Sequence, residues 1–251
     1  MPIQSVMHKV NRAKVHLDAL SQAIETWREA QANCLFFQDD LEAGEHIIEF
    51  RPPDTPYVEM ALIAGDFVCC LRAALDHLAW QLAASVKPGI APSKRIAFPI
   101  IGENTLDSQI AFTKMTFGIP EGAVVTIRSL QPYHGGDAYK NKFLWILHTL
   151  WNIDKHRRIP MHSLITQIDF HIHSAMPIRV DKFDDYVKMV FNLASKANIK
   201  FKPMPKPQVF FGDDEEGVQV TIDQLRAIYE AVSDEIIPAF TRFFPQAEEV
   251  G

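Results

Sequence analysis

Cysteine is scarce, three in 251 residues. Cys34 stands alone, and Cys69 and Cys70 are neighbours whose bridge would be strained, so a disulfide scaffold is excluded and a reducing, cytoplasmic setting is the default expectation. Long apolar runs are missing as well. No stretch of 18 uncharged apolar residues occurs, and Met1–Val10 lacks the apolar centre of a secretory signal, so neither membrane spanning nor export is expected. There is no Gly-x-Gly-x-x-Gly and no Gly-Lys-Ser/Thr, and Ser85 and Ser163 lack a Gly-x-Ser-x-Gly frame, which disfavours nucleotide-driven and esterase chemistry. His-Glu-x-x-His, Glu-x-x-His and Cys-x-x-Cys are also absent, so a di-iron bundle or a structural zinc site is without its usual pattern. Positive charge is in deficit: 25 Lys+Arg stand against 31 Asp+Glu, a net charge of −6. That balance argues against non-specific coating of nucleic acid.

What is present is an ordinary globular composition, 47% hydrophobic and 22% charged, long enough to bury a core without staples. Ile3, Val6, Val10, Ala13, Leu17, Leu20, Ile24 and Trp27 alternate steps of three and four, the seam of a long helix that Cys34–Phe37 would prolong. His46-Ile47-Ile48-Glu49-Phe50 is short enough for an edge strand or extended linker. A second long helix is expected from Pro56 to Lys87, nearly all apolar and therefore central. Shorter helices follow from Asn104 or Thr105 to Phe117, from Pro120 to Gln131, and from a cap at Asp137 to Pro160. Beyond Met161 the texture changes: 165–173, 186–193 and 208–211 read as strands, with 218–222 as a short pairing element. Thr221-Ile222-Asp223-Gln224 has capping-box spacing and opens a terminal helix that Pro238 should kink. The expected whole is one mainly α domain over 1–251: a helical bundle over 1–160, a small antiparallel sheet over 161–222, and a helix over 222–244 that packs back on the bundle.

On the central helix the polar residues stand out. Glu59, Asp66 and His77 fall within about 20° of one line, with Gln81 about 40° away, while Arg72 and Asp76 sit about 140° and 100° from it. Arg72-Ala73-Ala74-Leu75-Asp76-His77 reads Arg, four residues, His. This motif and its surroundings, Gly65 to Trp80, resemble the HEPN superfamily, helical bundles whose nuclease members carry an Arg-x(4–6)-His motif and often act as dimers. The resemblance implies a metal-independent endoribonuclease of toxin or defence type with no cofactor. Arg72 would hold the scissile phosphate and its growing charge, as a forked guanidinium can. His77 would move the proton, with Asp76 the third member of the set. RNA is then the substrate, and an antitoxin or other partner protein and a homodimer are the implied partners.

The competing reading is a non-catalytic bundle that binds a partner protein or a small ligand. In it Arg72 pairs with Asp76 one turn later, and His77 is held through Asp66 or Glu59 as part of a buried polar cluster. Two further features bear on the choice. Trp145, His148, Asn152 and His156 share a helical stripe at i, i+3, i+7 and i+11. The run that follows, Lys155, His156, Arg157 and Arg158, either complements a helix carboxyl end or gathers phosphate beside His77. Five lysines and no acid occupy 186–212, whereas 25–49 holds seven acids and one Arg. Asp169, His171 and His173 alternate along an expected strand and could share an ion, as could His148, Asp154 and His156 if the helix ended between them, but the reading adopted needs no metal.

Overall fold

Val6, Val10, Ala13, Leu17, Leu20, Ile24 and Trp27 are all buried along one continuous helix, α1 (Pro2–Gln31), as their three-and-four spacing predicts. The structure, a computed structural model, describes residues 2–31, 35–51, 56–86, 92–164, 179–183, 186–194, 208–213, 215 and 217–244. The second long helix, α2 (Tyr57–Val86), buries fourteen residues, among them Arg72. Three shorter helices follow: α3 (Leu106–Met115), α4 (Glu121–Ser129) and α5 (Phe143–His156). Thr105 caps α3 and is itself held by Ser108, so a serine completes the reciprocal cap where Glu or Gln is usual. The strands are β1 (Leu35–Asp40), β2 (Glu45–Phe50), β3 (Met161–Leu164), β4 (Arg179–Lys182), β5 (Val187–Asn192), β6 (Gln208–Asp213) and β7 (Val218–Thr221). The last helix, α6 (Ile222–Glu230), starts at the capping box of Thr221 and Gln224. The chain is mainly helical, with small antiparallel sheets.

Three expectations fail. Leu35-Phe36-Phe37 does not prolong α1. It forms β1, because this aromatic run suits a strand and finds a partner in β2 across a turn closed by Gly44 at φ 66°. Residues 46–50 are not an edge: β2 lies between β1 and β5 in the order β1-β2-β5-β4, and His46, Ile47, Ile48 and Phe50 are buried. Asp137 does not cap a helix, since Pro132–Asn141 is a 3₁₀ segment and α5 begins at Phe143. So two strands of the larger sheet come from 35–50, far from the carboxyl end. The terminal helix deforms before Pro238 into a π turn over Ala231–Ile236, which suits a proline that lacks an N–H and whose ring crowds the preceding turn. The expected strand over 165–173 lies outside the described residues.

Contacts fall into two units, one within 1–20, 58–161 and 210–251 and the other within 21–57 and 162–209. In the second, cross-strand pairing sets Ile48 opposite Met189 and His46 opposite Phe191, and Ile48, Met189 and Phe191 make an apolar cluster. His46 is buried there and shares a 2.6 Å hydrogen bond through Nδ1 with the Asp39 carboxylate opposite it.

In the first unit, Ile96–Ile101 lies outside helix and sheet and is mostly buried. Its peptide groups are met one at a time. Ala97 N–H donates to Met115 O and Tyr133 N–H to Ile101 O, while side chains of α2 and of Gln131 serve Phe98, Pro99 and Ile101. Phe240, at the end of the terminal helical segment, meets Phe98 edge-on at 6.3 Å. In the β6–β7 pair, Gly212 has φ 93°, and a Cβ there would collide with the carbonyl oxygen of Val218. Gly212→Ala is expected to lower stability by at least about 2 kcal/mol, read from a shift in denaturant midpoint at unchanged slope.

Candidate functional site

Arg72 points into the protein. Its Nη2 donates to Asp76 Oδ1 and to the Phe98 carbonyl, both at 2.8 Å. Asp76 Oδ1 also accepts the Phe98 N–H at 3.0 Å. One residue of this buried segment thus has both peptide groups held by an ion pair on α2. The i, i+4 spacing on the helix brings the two charges together, and burial to 7% exposure makes the pairing obligatory for Arg72. Burial pulls the Arg72 pKa down and pushes that of Asp76 up, the second shift being offset by Arg72, by the Phe98 N–H and by His77. Gln131, 2% exposed, repeats the device on the other side of the segment: Nε2 donates to Pro99 O at 3.0 Å and to Ile127 O at 2.9 Å, and Oε1 accepts the Ile101 N–H at 3.0 Å.

Both N–H bonds of Nη2 are thereby used, and Nε and Nη1 have no acceptor among the described residues. The guanidinium lies 5.4 Å from the centre of the Trp151 ring, and Lys155 Nζ approaches the same ring at 5.0 Å. His148, three residues before Trp151 on α5, hydrogen-bonds Asn152 through Nε2 at 3.0 Å, and its Nδ1 is buried without a partner among the described residues. Burial and the nearby Arg72 charge lower its pKa to about 4.

His77 is elsewhere. It is exposed and lines, with Ser5, Asp76, Trp80, Gln81 and Ile96, an open cavity of about 420 Å³. Asp66 does not hold it, for its carboxylate lies 4.0 Å from His16 Nδ1 on α1, and Glu59 is exposed. The basic run is not beside His77 either. His156 and Arg157 line a different cavity, of about 340 Å³, with Trp145, His148, Thr149, Asn152 and Ile153. Lys155 turns to Trp151, and Arg158 is exposed past the end of α5. The stripe read from the sequence, Trp145, His148, Asn152 and His156, is therefore one wall of a single groove. Asp154 faces away from it, against Gly65 of α2, and burial and the Asp66 charge raise its pKa. Gly65 has to be glycine for that carboxylate to fit. Sequence reasoning missed the roles of Gln131 and Trp151: a lone buried amide carries no spacing signal, and Trp151 reads as part of the apolar face.

Among the described residues no three His, Cys, Asp or Glu side chains are grouped to hold a metal ion, and Asp169, His171 and His173 lie outside them. No described helix is long and apolar enough to cross a membrane. Comparison with protein-family models, with curated proteins and with solved structures finds no match.

Because His148 has a folded pKa of about 4 against an ordinary 6.5, the unfolded chain binds the extra proton between these values. Its contribution to stability is complete above pH 6.5 and is lost as pH falls toward 4, by about 2–3 kcal/mol after allowance for partial exposure. Chemical denaturation at a series of pH values should show this slope, and His148→Gln should remove it.

Proposed function

We propose that the chain is a HEPN-like helical protein that binds a small ligand without cleaving it. Arg72 and Asp76 act as a structural latch, and the α5 groove is the ligand site. The observation that carries this reading is the commitment of Arg72: it is buried, bonded to Asp76 and to the Phe98 carbonyl, and separated from the exposed His77. A guanidinium that must follow a phosphate through a reaction needs access to it. The α5 groove sets an indole, two imidazoles, an amide and an arginine on one wall, where the His77 cavity has a single imidazole and a carboxylate in place of the arginine; a few convergent polar groups on an apolar lining are what small-ligand sites share. Lys155, His156, Arg157 and Arg158 then serve this groove and its rim.

One observation favours the ribonuclease reading. His77 is exposed in an open cavity beside the carboxylate of Asp76 and the Trp80 ring, where a proton-transfer group and a stacking surface for a base stand together.

The two readings part on His77→Ala. Under the ligand-binding reading the purified protein leaves RNA intact in EDTA, His77→Ala changes stability by no more than about 0.5 kcal/mol as an exposed substitution, and a metabolite panel yields compounds that raise Tm in the wild type but not in Asn152→Ala. Metal-independent RNA cleavage that His77→Ala abolishes at unchanged stability would establish the ribonuclease instead.

A further inference from the structure

We propose that the open cavity at His77 is a second binding site, for a small molecule with a primary ammonium group: Asp76 and Gln81 accept its N–H bonds, and the Trp80 indole carries its body. This goes beyond the reading above, since the cavity shares no lining residue with the α5 groove. One helix builds most of it. Asp76, His77, Trp80 and Gln81 fall at i, i+1, i+4 and i+5 on α2, two adjoining columns of one face. Ser5 of α1 and Ile96 complete the lining of about 420 Å³, the size of a metabolite site.

The lining offers acceptors. Asp76 Oδ1 is taken from the interior by Arg72 Nη2 and by the Phe98 N–H. Oδ2 has no partner among the described residues, and the side chain is 32% exposed where it lines the cavity, so this second oxygen is left for a ligand. A carboxylate accepts at about four lone-pair sites, enough for another cation besides Arg72. Gln81 Nε2 donates to Ser5 Oγ at 3.4 Å, and its Oε1 has no donor among the described residues. An ammonium carries three N–H donors on one atom and can meet both oxygens, the carboxylate through a charge-assisted bond. Trp80, 39% exposed, presents its ring to the cation or to an aromatic body behind it. No Lys or Arg lines the cavity. Its one carboxylate has the wrong sign for a phosphate, so a nucleotide does not match these residues. Arg72 lies behind that carboxylate and offsets its charge, which makes directed hydrogen bonds as important to the ligand as net attraction.

The test uses the full chain with three probes at matched ionic strength: phenethylamine, its neutral counterpart 2-phenylethanol, and adenosine monophosphate. Affinity is read by calorimetry, and the NMR signals of the His77 ring report on the cavity itself. Asp76→Asn would break the latch, so charge is varied on the ligand rather than on the protein. Phenethylamine is expected to bind saturably and to shift the His77 signals, and 2-phenylethanol to bind at least about tenfold more weakly, the worth of one hydrogen bond to a charged group. Trp80→Ala should weaken the amine by at least about fivefold, while Asn152→Ala in the other cavity leaves it unchanged. If Trp80→Ala does not fold, the comparison of amine with alcohol and the His77 shifts decide alone. The proposal is overturned if phenethylamine binds no tighter than 2-phenylethanol, if it leaves the His77 signals unmoved, or if adenosine monophosphate binds there more tightly than the amine. Amine binding that falls with Asn152→Ala and not with Trp80→Ala overturns it too, and assigns the amine to the α5 groove, where the ligand-binding reading then stands.

Discussion

A buried stretch of backbone outside a sheet or helix has to find its hydrogen bonds among side chains, because an unmet peptide group in the interior costs about 1–3 kcal/mol. Ile96–Ile101 is such a stretch. Arg72 and Asp76 take the carbonyl and N–H of Phe98, and Gln131 takes the carbonyl of Pro99 and the N–H of Ile101. The segment is thereby tied to α2 and to Gln131, two residues past the end of α4. Phe98, fully buried, then supplies the surface on which Phe240 rests. The few polar residues of this interior are thus grouped where backbone demands them.

The same constraint explains why α2 carries an arginine among so many apolar residues. A guanidinium has five N–H donors in a fixed fork, and here Nη2 alone reaches the Phe98 carbonyl while still bonded to the carboxylate one turn away. A lysine would bring the charge without the fork. The arrangement uses one nitrogen of three, and the remainder of the fork lies toward Trp151 and the lowered-pKa His148 of α5.

How much of this was readable in the sequence depended on the range of the interaction. The α1 seam, the limits of α2 to within a residue, the Thr221 capping box and the α5 stripe of Trp145, His148, Asn152 and His156 are local periodicities, and they hold. The i, i+4 pair Arg72–Asp76 was readable for the same reason. Contacts between distant residues were not. Nothing around Phe98 signals that its peptide is held by residues 22 and 26 positions earlier. Leu35-Phe36-Phe37 fits a helix or a strand equally, and only the partner strand at 45–50 decides it. The divergence of Arg72 from His77 by about 140° was stated by helix geometry alone, and in the fold it puts one inside and the other in solvent.

A double-mutant cycle on the latch tests the account most directly. Stability is measured for the wild type, Arg72→Met, Asp76→Asn and the double variant. If Arg72 is held in place by Asp76 to satisfy Phe98, Asp76→Asn alone leaves a buried guanidinium without its counter-ion and costs about 3–5 kcal/mol. The double variant should then be more stable than the sum of the singles by at least about 1.5 kcal/mol. Additive effects within about 0.5 kcal/mol would contradict the account, for they would mean that Arg72 and Asp76 act independently of each other.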